Sequence, residues 1–110
     1  MHKGYTLNYF INFFKNIPDH RWTTGELHVD GTVQKCALGH CLSNQRSGKL
    51  PSGASEESLN ERGIALENFL NDEVISINDG DGLYKSLGTT PRGRILRALR
   101  NRKRTGEVLP

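Results

Sequence analysis

The sequence predicts a mainly α, compact single domain over residues 1–110, with about four helices and a short β-hairpin or extended element. Three observations predict it. Near the N-terminus, Leu7, Phe10, Ile11 and Phe14 fall at i, i+3, i+4 and i+7, one face of a helix. Near the C-terminus, Thr90-Pro91 is a helix start and Gly106 a helix stop, bracketing a long segment. Between them, Asp30-Gly31 carries the signal of a two-residue hairpin turn.

The elements follow in order. The first helix is expected over 6–16, with Thr6 as its cap, and Ile17-Pro18 stops it because a residue before proline is pushed out of the helical region. Tyr9 and Phe13 widen its apolar face, so it should be largely buried. The arms of the hairpin would be 26–29 and 32–35. A second helix is then expected over 33–44, with Val33, Cys36, Ala37, His40 and Cys41 inward. Its small residues, Ala37 and Gly39, allow close approach of another element or of the Trp22 ring. Residues 43–55 read as a flexible polar loop rich in Ser and Gly, long for a chain of this size. A third helix is expected from Ser55 as cap, with Glu56 and Glu57 in its first turn where carboxylates suit the dipole. Val74 to Ile77 reads as brief and extended, and 78–82 as a turn. The last helix runs from Thr90 to about Arg104, leaving a tail over 105–110.

Composition bounds the function. A chain of 110 residues, 35% hydrophobic and 25% charged, can bury one marginal core. It has no apolar run long enough to span a bilayer, so no membrane partner is expected. The apolar patch over 9–15 is short, interrupted and without a small-residue cleavage site, unlike a signal peptide. The cytoplasm is the expected compartment, with reduced thiols. If Cys36 and Cys41 share a helix, their Cα atoms lie roughly 8 Å apart, too far for a bridge.

Charge is distributed unevenly. The formal net charge is +3. Between Ser55 and Asp81 stand Glu56, Glu57, Glu61, Glu67, Asp72, Glu73, Asp79 and Asp81 against a single base, Arg62. Between Lys85 and Arg104 there are eight bases and no acid. The last helix thus carries the candidate binding residues Arg92, Arg94, Arg97, Arg100, Arg102, Lys103 and Arg104. A cationic helix of this density can neutralise phosphates or face an acidic protein surface. The competing expectation is that the acidic third helix lies against it and neutralises it internally. The helix has no aromatic residue for base stacking, which argues against single-strand binding.

Other chemistries fit less well. His20, His28, Cys36, His40 and Cys41 are zinc-competent, but only Cys36 and His40 are aligned at i, i+4, and a structural site needs four ligands. The same pair is the candidate for a Cys-dependent enzyme, which needs in addition an orienting group and oxyanion donors. Asp79-Gly80-Asp81-Gly82 lacks the alternating oxygens and terminal Glu of a calcium loop. No glycine pattern cradles a phosphate, and no cofactor is expected.

Trp22-x-x-Gly25, Gly31, Cys36-Ala37-Leu38-Gly39 and Ile77-Asn78-Asp79 ahead of a last helix form a pattern. It resembles a family of small proteins of bacteriophages and their bacterial hosts that has no established activity. The chain departs from that pattern at His40-Cys41, where a small apolar residue is usual. The resemblance implies a phage or mobile-element origin and, with it, residence in the host cytoplasm. It also implies a non-catalytic accessory role, binding a host macromolecule and interfering with a defence or regulatory complex. Trp22, Cys36, Ala37 and Asn78 are expected to be structural, through ring packing, close helix contact and a loop tie.

Overall fold

The computed structural model describes residues 4–43, 47–55 and 57–110. Among them are five α-helices: α1 (Leu7–Lys15), α2 (Ala37–Leu42), α3 (Glu61–Phe69), α4 (Val74–Asp79) and α5 (Pro91–Thr105). Two 3-10 turns, Asp19–Arg21 and Gly82–Leu87, complete the regular structure. The fold is mainly helical and compact, with a radius of gyration of 12.8 Å.

The two terminal helices start and stop on local signals. The Thr6 hydroxyl accepts from the Tyr9 N–H at 3.0 Å. The Thr90 hydroxyl accepts from the Gly93 N–H at 3.0 Å, Pro91 takes the first turn, and Gly106 closes α5 at φ 83°. Each hydroxyl satisfies one of the orphan donors of a first turn. The helices pack antiparallel. The Arg92 guanidinium donates to the Lys15 carbonyl at 2.9 Å, and Lys103 Nζ donates to Asn8 Oδ1 at 2.7 Å. Phe10 and Phe14 of α1 and Ile95, Leu96 and Leu99 of α5 join one core with Trp22, Leu38, Leu66, Leu70 and Ile77. The tail after α5 is partly docked: Val108 is buried and its carbonyl accepts from Asn101 Nδ2 at 3.0 Å.

The expected β-hairpin is not formed. No strand is present among the described residues, only two isolated bridges, Trp22 with Lys35 and His28 with Lys35. Gly31, at φ 77°, does turn the chain, and the Val29 N–H reaches the Gln34 carbonyl at 3.0 Å. Pairing then fails because the backbone of Lys35 is taken by another loop. Its N–H donates to the Arg21 carbonyl and its carbonyl accepts from Thr23, both at 2.9 Å. The extended Lys35 also delays the second helix, which covers 37–42 instead of 33–44. Val33 lies outside it and is 52% exposed.

Two more boundaries differ. The third helix starts at Asn60, whose Oδ1 accepts from the Gly63 N–H at 2.8 Å, not at Ser55. The Ser55 hydroxyl instead accepts from the Glu57 N–H, a local turn, while Glu56 lies outside the described residues. The stretch from Val74 is helical, not extended. Asn71 and Asp72 reverse the chain in the left-handed region (φ 58° and 60°), and Glu67 Oε1 then accepts from the Val74 N–H at 3.0 Å. Val74 and Ile77, three residues apart, share a buried face, and Gly80 ends α4 at φ 74°. Of the expected loop over 43–55, residues 47–55 carry neither helix nor strand, and 44–46 lie outside the described residues.

Candidate functional site

The seven basic residues of α5 divide into groups. Arg97, Arg100 and Arg104 are exposed and recur at three and four residues, one stripe along the helix. None of the three has an ion pair among the described residues. Among the described residues their only side-chain hydrogen bond runs from Arg104 Nη2 to Asn101 Oδ1 at 3.3 Å, within the same helix. Arg102 is half-buried, and its side chain has no hydrogen bond or ion pair among the described residues. Lys103 is exposed, but its ammonium meets Asn8 of α1. Arg92 is half-buried, with Nη2 on the Lys15 carbonyl, so it caps the C-terminal end of α1.

Arg94 does not belong to this surface. It is 7% exposed. Its Nε donates to the Ile77 and Asn78 carbonyls, its Nη2 to the Asn78 carbonyl at 2.7 Å and its Nη1 to the Gly88 carbonyl at 3.2 Å. These include carbonyls at the end of α4, where the Ile77 carbonyl also accepts from the Gly80 N–H of the C-cap at 3.2 Å. Burial lowers its pKa, and the charges of Asp79 and Asp81 oppose that shift.

Among the described residues, the acidic third helix makes no ion pair with α5. Helix α5 packs chiefly against α1 and α4, and α3 against α2. The sole ion pair among the described residues is His28 Nδ1 with Asp30, at 3.8 Å, far along the chain from α5.

The Trp22–Cys41 stretch and Asn78-Asp79 meet in a structural knot. Asn78 is fully buried. Its Oδ1 accepts from the Ala37 N–H at 3.0 Å at the start of α2, and its Nδ2 donates to the Thr23 carbonyl and to Asp79 Oδ1, both at 2.9 Å. Asp79 Oδ1 also accepts from the Gly25 N–H at 3.1 Å. Trp22 donates from Nε1 to the Ile17 carbonyl and packs against Phe14 and His40. A Cβ on Gly39 would collide with the Leu27 carbonyl oxygen, so only glycine fits there.

Cys36 and His40 lie inside this knot. Cys36 stands at the N-cap position of α2 and is 5% exposed, and Cys41 is fully buried. Burial pushes the Cys41 thiol far above its usual range. His40 Nε2 donates to the Arg21 carbonyl at 3.0 Å. Burial, aided by the charges of Lys35 and Arg21, lowers its pKa to about 4 against the pull of that hydrogen bond. The ring is therefore neutral near pH 7. Among the described residues no group of three or more His, Cys, Asp or Glu side chains is placed to hold a metal ion.

Two features left no local signal in the sequence. Arg62, the lone base of the acidic segment, clamps the Cys41 carbonyl through Nε and Nη2 (2.9 and 2.7 Å) and lies 4.9 Å over the Phe13 ring. Arg21, Lys35 and Lys49, well separated in sequence, line one cleft. Comparison with protein-family models, curated proteins and solved structures gives no match. No helix is long and apolar enough to cross a membrane among the described residues.

Proposed function

We propose that the protein acts by binding and not by catalysis, docking an acidic surface of a protein partner on the outer stripe of α5. The observation that carries this reading is the exposure of Arg97, Arg100 and Arg104 on one face, with no carboxylate paired to them among the described residues. Such a face gives long-range attraction and fast, salt-sensitive association. Arg102 and Lys103 extend it, and Arg92 borders it. The phage-type reading of the sequence supplies a source for the partner: a host defence or regulatory complex in the host cytoplasm.

The Cys-dependent alternative has less support. Both thiols are buried, and the hydrogen-bonding Nε2 of His40 already faces a backbone carbonyl. A reactive thiol needs exposure and a lowered pKa.

Capture from host lysate on immobilised protein, with and without nuclease, tests the proposal. One protein complex should be retained through nuclease treatment, released as salt rises, and lost with Arg97→Glu combined with Arg100→Glu. Retention by the double variant would remove α5 as the interface. Loss of all capture after nuclease would move the partner to nucleic acid, with affinity for a duplex probe falling steeply with salt.

A further inference from the structure

We propose that the cleft between the end of α1, the turn around Gly31 and the segment 47–50 binds a small organic anion, a phosphate or carboxylate carried on an apolar body. The cleft has a volume of about 650 Å³. That is the size of a small-molecule site, roughly 300–1,000 Å³. Arg21, Lys35 and Lys49 line it, and among the described residues no Asp or Glu does. Phe13, Ile17 and Leu50 supply an apolar wall.

Lys35 is the centre of the argument. It is only 4% exposed. Its ammonium has three donors to place. Among the described residues it makes one hydrogen bond, to the Val33 carbonyl at 3.5 Å, the outer edge of a real bond. Burial and the charge of Arg21 both lower its pKa, so two like charges stand close together, and among the described residues no carboxylate lines the cleft beside them. A buried cation without a counterion is unfavourable. An anionic head group in the cleft relieves this by taking the free donors of Lys35 in short, charge-assisted bonds. Lys49, exposed on the rim, adds a further positive charge. The apolar wall beside these cations fits a ligand with one charged and one greasy end, not a bare ion. This site is separate from the α5 stripe and does not depend on it.

Calorimetric titration of the full chain tests the assignment, with phenyl phosphate and benzoate as probes. At least one should bind saturably, and which one does tells phosphate from carboxylate. Lys35→Met should weaken that binding about tenfold or more, the equivalent of about 1.4 kcal/mol. It should leave the melting temperature unchanged or raise it, because it removes an unpaired buried charge; a purely structural lysine would lower it. Should that variant fail to fold, Lys49→Ala, altered only at an exposed side chain, should still weaken binding. Absence of saturable binding by both probes would overturn the proposal. So would full affinity in the Lys35→Met and Lys49→Ala variants, or inorganic phosphate binding as tightly as phenyl phosphate.

Discussion

Arg94 and Arg97 stand one turn apart on α5 and have opposite surroundings. Arg94 points inward and fills the carbonyl end of α4, where the Ile77 and Asn78 oxygens accept from it, and it also donates to the Gly88 carbonyl. Arg97 points outward, and no ion pair or hydrogen bond holds it among the described residues. The same side chain thus serves as a helix cap in one place and as free surface charge in the other. What separates them is position around the helix: α4 covers one side of α5, α1 covers another, and the stripe through Arg97, Arg100 and Arg104 lies between. Counting charges in the sequence overstates the available surface, and burial decides how many remain.

The contrast can be broken from the inner side first. Gly39→Ala should have the largest effect, a loss of about 4 kcal/mol, because the added methyl meets the backbone of Leu27 and not a movable side chain. Chemical denaturation checks this, and a loss below about 1 kcal/mol would mean that the 27–35 segment can withdraw without harm. Arg94→Met should lose about 3 kcal/mol, since it strands the buried Asn78 carbonyl and removes a donor from the Ile77 and Gly88 carbonyls.

His40 offers a pH test of the same inner region. Its folded pKa, about 4, lies below the ordinary value of 6.5. Between these values the unfolded chain takes up a proton that the folded chain refuses, so stability falls as pH drops through that window and the loss levels off below it. The contribution is up to about 3 kcal/mol. Melting curves should show the advantage of wild type over His40→Gln narrowing from pH 6.5 to 4; a constant gap would mean that the imidazole is not held neutral. The smallest effect belongs to the outer side. Arg97→Glu with Arg100→Glu should shift stability by no more than about 0.5 kcal/mol, as exposed sites without partners do. A larger loss would show that the stripe is tied to the fold.

Legibility in the sequence followed locality. Thr6, Thr90, Pro91 and Gly106 act on backbone groups within a few residues, so the limits of α1 and α5 were readable to within a residue. The structural roles of Trp22, Ala37 and Asn78 were readable as well, as packing, close contact and a loop tie. The hairpin was not. It depended on how Lys35 divides its backbone between two partners that both precede it in the chain, Trp22 in parallel and His28 antiparallel. The stretch from Val74 was ambiguous because a short β-branched run suits strand or helix, and the turn at Asn71 and Asp72, of residue types that tolerate the left-handed region, is marked only by that pair. That error carried into the site. With α4 read as extended, its terminal carbonyls needed no cap, so nothing set Arg94 apart from its neighbours. The cleft was invisible for a related reason: Arg21, Lys35 and Lys49 are neighbours only after folding.

The antiparallel pairing of α1 with α5 has a consequence for biosynthesis. The contacts that join them, Lys15 with Arg92 and Asn8 with Lys103, span 77 and 95 residues of chain. A ribosome adding roughly 5–20 residues per second leaves the first helix without its mate for several seconds. During that interval Phe10 and Phe14 lack the cover that α5 gives, though Trp22, which packs on Phe14, is already made. Nascent chains would therefore rely on cellular holdases, and an abrupt halt in translation before residue 99 would release a product prone to clumping.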